Sequence, residues 1–68
     1  MKNAAPSRRI FRDFYGCSAA IVVARDGSVR LTASDPYGIR FWNRSYTSYR
    51  SARSALGQLS EGWREVTV

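Results

Sequence analysis

The sequence contains no histidine and only one cysteine, and each of these shortages excludes a class of chemistry. Without histidine the chain has no imidazole base, no Ser–His or Cys–His nucleophile pair and no histidine-containing zinc site. Because Cys17 is alone, neither an intramolecular disulfide nor a cysteine-rich metal site can form within the chain. We therefore expect no enzyme, no metal and no cofactor, and the lack of disulfides fits a reducing, cytoplasmic setting.

Long apolar segments are also missing. The longest apolar run, Ala19–Ala24, is far shorter than the ~20 residues that a membrane-spanning helix needs. The first nine residues carry charges with no apolar segment behind them, so we expect no signal peptide and no membrane association. A chain of 68 residues has room for one domain, which we place at residues 10–68, after a flexible basic tail at residues 1–9.

Positive charge is what the sequence has in excess. Eleven lysine and arginine residues oppose five aspartate and glutamate residues, which gives a formal net charge of +6, and every cation except Lys2 is arginine. Arginine binds phosphate and carboxylate groups bidentately and stacks on aromatic rings. A small surface with this surplus attracts polyanions, although a GC-rich genome would produce the same preference for arginine without any function.

Hydrophobic patterning predicts an α+β fold with the element order β-β-β-α. The predicted strands and the turns between them are Ser18–Ala24, Asp26-Gly27, Ser28–Ser34, Asp35–Gly38 and Ile39–Tyr46. Apolar residues at spacings of three and four over Tyr49–Leu59 predict a helix, which Ser48 or Thr47 caps. Three antiparallel strands with one helix packed on one face form a two-layer domain and leave the other face free.

Shorter segments flank this unit. Ile10–Tyr15 has aromatic and apolar residues four apart, which suits a short helical turn on the core, with a short leading strand as the alternative. Trp63–Val68 alternates again and fits a short closing strand at the C-terminus. Tyr46 has the parity of Arg40 but the character of a core residue, so we expect a bulge or the end of the strand near Ser45.

The free face of the predicted sheet holds the candidate site. We expect the helix to cover Val29, Leu31, Ile39 and Phe41. The opposite face then displays Arg30, Thr32, Arg40, Trp42 and Arg44. Guanidinium groups reach phosphates and guanine edges, and an indole stacks on bases or packs on sugars. The predicted binding residues for nucleic acid, most directly duplex DNA, are Arg30, Arg40, Trp42 and Arg44.

Two other interpretations of this face stay open. Arginine and tryptophan often only cover an antiparallel face by cation–π stacking, and the Ile10–Tyr15 segment can lie over the face and bury Trp42. In the second interpretation the same face, an open sheet edge or the aromatic N-terminal segment binds a protein partner or a second copy of the chain. Salt separates this interpretation from nucleic-acid binding, because phosphate contacts weaken at high salt.

The junction between the third strand and the helix carries a family resemblance. In Tyr46–Leu56 (YTSYRSARSAL) an aromatic residue ends the strand, Ser48 caps the helix, and Ala52 starts its buried stripe. After two short hairpins, this junction resembles the arm-type DNA-binding domain of phage and transposon tyrosine recombinases. It is also similar to small β-β-β-α domains of uncharacterised bacterial proteins. The resemblance spans about residues 20–59 and implies a mobile-element protein whose sheet enters the DNA major groove.

Overall fold

Five antiparallel strands and one helix make up the fold, which the computed structural model describes over residues 6–66. In chain order the elements are β1 (Ser7–Arg12), β2 (Ser18–Val23), β3 (Val29–Ser34), β4 (Arg40–Tyr46), α1 (Tyr49–Leu59) and β5 (Arg64–Val66). The first four strands form a meander, and β5 pairs with the free edge of β1, so the sheet order is β4-β3-β2-β1-β5. The helix and the loop after it therefore cross from one edge of the sheet to the other.

Helix α1 covers one side of the sheet, which we call the helix face; the other side is the open face. Ser48 caps the helix, because its side chain accepts a hydrogen bond from the Ser51 N–H at 3.1 Å. The core between helix and sheet consists of Phe11, Ala19, Ile21, Val29, Leu31, Ala33, Ala52 and Leu56. In residues 6–66 no helix is long and apolar enough to cross a membrane.

The predicted α+β class and the helix are confirmed, but the sheet has five strands and not three. Of the two alternatives for Ile10–Tyr15, the helical turn is wrong and the leading strand is confirmed, because Ile10–Arg12 belong to strand β1. Pairing with β2 and β5 gives the backbone of this segment partners that one isolated helical turn lacks. The predicted tail is wrong for Ser7–Arg9, which start β1, and residues 1–5 lie outside the described residues. The closing strand is confirmed at Arg64–Val66.

A β-bulge in β4 decides which side chains of that strand face the helix. The register joins Ala33 to Trp42 and Ser34 to Arg40, so that Phe41 is an extra residue in β4. An extra residue shifts the alternation of side chains by one position. Arg40 therefore lies on the open face, whereas Trp42 lies on the helix face.

The bulge corrects the prediction for β4. We expected it near Ser45, but it lies at Phe41. Tyr46 packs against the core, as its aromatic character predicts, and it does so on the same face as Trp42. The predicted burial of Ile39 and Phe41 under the helix is wrong, because these side chains are 66% and 48% exposed.

Candidate nucleic-acid interface

The open face combines arginines from four strands with no carboxylate among residues 6–66. The strand registers place on it Arg8, Arg12, Arg30, Arg40 and Arg64. The acidic residues lie in turns, in the loop after α1, or on the helix face: Asp13, Asp26, Asp35, Glu61 and Glu65. Within the described part of the chain, the one ion pair joins Arg9 to Glu65 at 3.7 Å on the helix face. No carboxylate in that part neutralises the open-face arginines.

Strand pairing arranges these arginines in two rows that run across the strands. From β5 to β4, the first row is Arg64, Arg12, Ser18, Ser34 and Arg40. The second row is Arg8, Val22, Arg30 and Ser45. Arg8 and Arg12 are four residues apart, and because a strand rises about 3.3 Å per residue, the rows lie about 13 Å apart. The row between them is uncharged and consists of Val66, Ile10, Ala20, Thr32 and Asn43.

A shallow groove of about 180 Å³ lies on the open face over β2. It forms because β2 and β3 contribute only short side chains to the groove, whereas Arg8 and Ile10 of β1 and Arg40 of β4 border it on either side. Arg8 and Arg40 border the groove, and the Thr32 hydroxyl lines it. Arginine and hydroxyl groups are the side chains that most often bind phosphate oxygens. The groove is therefore suited to an extended anionic ligand.

One arginine of the open face is held by a hydrogen bond, and two others stand opposite each other. The Arg30 Nη1 donates a hydrogen bond of 2.6 Å to Asn43 Oδ1, which directs its guanidinium toward the uncharged middle row. Arg12 and Arg64 are direct partners on neighbouring antiparallel strands. Like charges opposite each other destabilise a sheet, by about 0.2–1 kcal/mol for a typical pair. An anion bound between these two arginines would remove that repulsion.

The structure brings together only two of the four predicted binding residues. Arg30 and Arg40 lie on the open face, in different rows. Trp42 and Arg44 lie on the helix face, where the Trp42 Nε1 donates a hydrogen bond of 3.2 Å to the Tyr46 hydroxyl. The Arg44 guanidinium stacks on the indole at 4.6 Å from the ring centre. The covering role considered for arginine and tryptophan therefore applies to Arg44 and Trp42.

The N-terminal segment does not cover Trp42, because two strands separate β1 from β4. It contributes instead two open-face arginines that the sequence reasoning missed, Arg8 and Arg12; a third, Arg64, comes from β5. The sequence of β1, SRRIFR, has no alternation of polar and apolar residues that would indicate a strand, and Arg8 was therefore assigned to the tail.

Two hairpin turns share a sequence pattern and a geometry; the turn at Asp35–Gly38 was predicted, whereas the turn at Asp13–Gly16 was not. They are Asp13–Gly16 (DFYG) and Asp35–Gly38 (DPYG). In each turn one carboxylate oxygen accepts hydrogen bonds from two backbone N–H groups, at 2.8 to 2.9 Å, and the glycine has a φ of 85° or 86°. The tyrosine in the third position points to solvent in both turns, and Tyr15 is 69% and Tyr37 is 90% exposed.

Asp13 also joins its turn to the end of the helix, because its second carboxylate oxygen accepts a hydrogen bond from the Ser60 hydroxyl. Burial raises the pKa of this carboxyl, but hydrogen bonds from Ser60 and from the N–H groups of Cys17 and Tyr15 outweigh burial, so the pKa lies below its ordinary value. Burial and the nearby Asp13 carboxylate raise the pKa of the Cys17 thiol, which makes it a poorer nucleophile. The contacts of the Asp13 carboxyl and the Cys17 thiol are those of structural groups. Residues 6–66 hold no cluster of metal-ligating side chains.

Comparison with known proteins finds no relative. No family model matches the chain, and no curated protein and no solved structure matches it. The resemblance to the arm domain of tyrosine recombinases therefore stays a prediction. Function has to be inferred from the geometry of the open face.

Proposed function

We propose that the protein is a non-enzymatic binding domain that holds duplex nucleic acid, DNA first of all, on the open face of its sheet. The observation that carries the proposal is the pair of arginine rows with no carboxylate on the same face among residues 6–66. Guanidinium groups bind phosphate oxygens through two parallel hydrogen bonds, and these contacts supply most of the affinity of a protein for nucleic acid.

The distance between the rows favours a duplex. Rows about 13 Å apart match the width of the B-DNA major groove, which is about 12 Å, so each row can follow the phosphates of one strand. The uncharged row between them faces the groove, where Thr32 and Asn43 offer hydrogen-bonding groups to base edges. That row contains no aromatic ring, whereas surfaces that bind unpaired bases rely on aromatic stacking.

Each arginine has a role in this proposal. Arg12 and Arg64 share one phosphate at the end of the first row, which relieves their mutual repulsion. Arg8 and Arg40 border the groove over β2 and contact the two phosphate chains. Arg30, held by Asn43, binds a phosphate or a guanine edge at the second row.

The test is fluorescence anisotropy of a labelled DNA duplex over a range of salt concentrations. If the five arginines contact four phosphates, with Arg12 and Arg64 on a shared one, the log–log slope of affinity against salt is about −3 to −4, at about −0.9 per phosphate. Arg40→Gln is expected to weaken binding and to reduce the slope by about one, and Arg12→Gln is expected to weaken binding with a smaller change of slope, because Arg64 keeps the shared phosphate. Arg50→Gln is the matched control, because it removes the same charge from an exposed position on α1 and should change the slope little.

Two results would contradict the proposal. Binding that does not weaken with salt would favour an apolar interface with a protein partner. Equal losses from Arg12→Gln and Arg50→Gln would mean that total charge, and not the open face, attracts the DNA. An RNA duplex of the same sequence measures the preference for DNA, and tighter binding of that duplex would overturn the choice of DNA.

A further inference from the structure

One end of the sheet exposes an unusual number of large apolar side chains. We call them the aromatic rim; they are Phe14, Tyr15, Tyr37, Ile39 and Phe41, and all of them are at least 48% exposed. Two of them, Tyr15 and Tyr37, occupy the same position in turns of the same sequence pattern. An exposed apolar patch on a small domain marks a surface that binds something.

The aromatic rim borders the first arginine row. The β1–β2 and β3–β4 turns lie at the same end of the sheet, the end at which Arg12 and Arg40 stand. The two turns adjoin each other, because a Cβ atom at Gly16 would lie 3.6 Å from the Pro36 Cβ. Since the turns are two strands apart, the tyrosines are separated by about 10 Å and can contact different groups of one ligand.

Neither tyrosine has a cation–π partner within the described residues. There the stacked arginines are Arg9, Arg44 and Arg53, which lie on Tyr49, Trp42 and Phe11. The carboxylates nearest the tyrosines already have hydrogen-bond partners, because Asp13 and Asp35 accept hydrogen bonds from backbone N–H groups of their own turns. Tyr15 and Tyr37 therefore offer free ring faces beside a row of arginines.

We infer that the aromatic rim stacks on unpaired bases at an end or fork of the duplex that the open face holds. This inference rests on the proposed function. A strand that leaves the duplex beside the first arginine row carries flat bases on a phosphate chain. Aromatic rings next to cationic groups are the combination that binds such strands, because every base has a face on which a ring can stack. The arginines hold the phosphates, while Tyr15 and Tyr37 each stack on a base.

The experiment measures the affinity for three DNA molecules that share one duplex: a blunt duplex, the same duplex with a single-stranded overhang, and a fork. We expect the overhang and the fork to bind at least about fivefold more tightly than the blunt duplex, from the usual strength of one stacked base. The double variant Tyr15→Ala/Tyr37→Ala should lose this difference and keep its affinity for the blunt duplex. Tyr15→Phe/Tyr37→Phe is the matched control and should keep the difference, because the rings remain.

The other outcomes separate this inference from the proposed function. Equal affinity of the unchanged protein for all three DNA molecules would overturn the stacking role and leave duplex binding intact. If the protein bound none of the three DNA molecules in a salt-dependent way, both the stacking role and the proposed function would be overturned. Loss of the difference in the phenylalanine variant would overturn stacking in favour of the hydroxyl groups. If sedimentation showed that the unchanged protein is a dimer and that the Tyr15→Ala/Tyr37→Ala variant is a monomer, the aromatic rim would be assigned to contact with a second copy of the chain.

Discussion

At the residue scale, the Asp13 carboxylate holds together two elements that are distant in sequence. One of its oxygens accepts hydrogen bonds from the N–H groups of Tyr15 and Cys17, and the other accepts from the Ser60 hydroxyl at the end of α1. The side chain therefore fixes the β1–β2 turn and anchors the helix over the sheet. Its partners are backbone groups of the turn and the hydroxyl at the end of the helix, and its role is structural.

Replacing this carboxylate should destabilise the fold. We expect Asp13→Ala to lower the free energy of unfolding by about 2 kcal/mol, because it leaves buried donors without an acceptor. The comparison is Asp26→Ala, which removes one hydrogen bond from an exposed turn and should cost less. Urea unfolding followed by circular dichroism measures both, and a smaller loss for Asp13→Ala would contradict the anchoring role.

Acid should act through the same residue. The pKa of Asp13 is below its ordinary value of 3.8 in the folded protein, so the unfolded chain binds a proton more readily. The stability that Asp13 contributes is present above pH 3.8 and is lost as pH falls through the folded pKa. Urea midpoints measured over this acidic range should fall less steeply for Asp13→Asn than for the unchanged protein. Parallel curves would contradict the prediction.

Arg64 should show opposite effects on stability and binding. It stands directly opposite Arg12, so Arg64→Gln is expected to raise the free energy of unfolding by about 0.2–1 kcal/mol. The same change should weaken DNA binding, because one phosphate contact is lost. Melting curves and anisotropy measure the two effects, and a variant that is both less stable and unchanged in binding would contradict the role of this pair.

At the element scale, β4 explains why sequence reasoning assigned the wrong face. A regular strand places Arg40 and Trp42 on one face. The parity of Tyr46 indicates a bulge, but the position of the bulge at Phe41 depends on pairing with β3 and is not fixed by the sequence pattern. The Asp-Gly hairpin and the helix were predictable because their signals are local, whereas the pairing of β1 with β5 joins segments that are distant in sequence and was not predictable.

Single-residue deletions test the bulge directly. Deleting Phe41 leaves Arg40 and Trp42 adjacent and on opposite faces, as they are now, so we expect a stability change of about 1 kcal/mol or less. Deleting Asn43 shifts the alternation of the strand, so that either Trp42 or the residues after the deletion lie on the wrong face. We expect this deletion to lower the free energy of unfolding by about 2–4 kcal/mol. Thermal melts of both variants provide the comparison. Equal losses would contradict the register of β4.

At the scale of the whole molecule, the two faces use their arginines differently. On the helix face, Arg9, Arg44 and Arg53 stack on aromatic rings and complete the packing around a small core. On the open face, Arg30 is the one arginine in the described part of the chain whose guanidinium has a side-chain partner, the Asn43 amide oxygen. The core contains none of the open-face arginines, so we expect substitutions of these arginines to leave the packing of the core intact. The excess of positive charge is visible in the sequence, but only the strand registers show how the arginines are distributed between the two faces.

The most direct test of this division follows the arginine side chains by NMR while a DNA duplex is added at low salt. The Nε–Hε signals that should shift and saturate together belong to Arg8, Arg12, Arg30, Arg40 and Arg64. Those of Arg9, Arg44 and Arg53 should stay in place, because their guanidinium groups are stacked on the helix face. Shifts confined to the second group, or spread evenly over all arginines, would contradict binding through the open face.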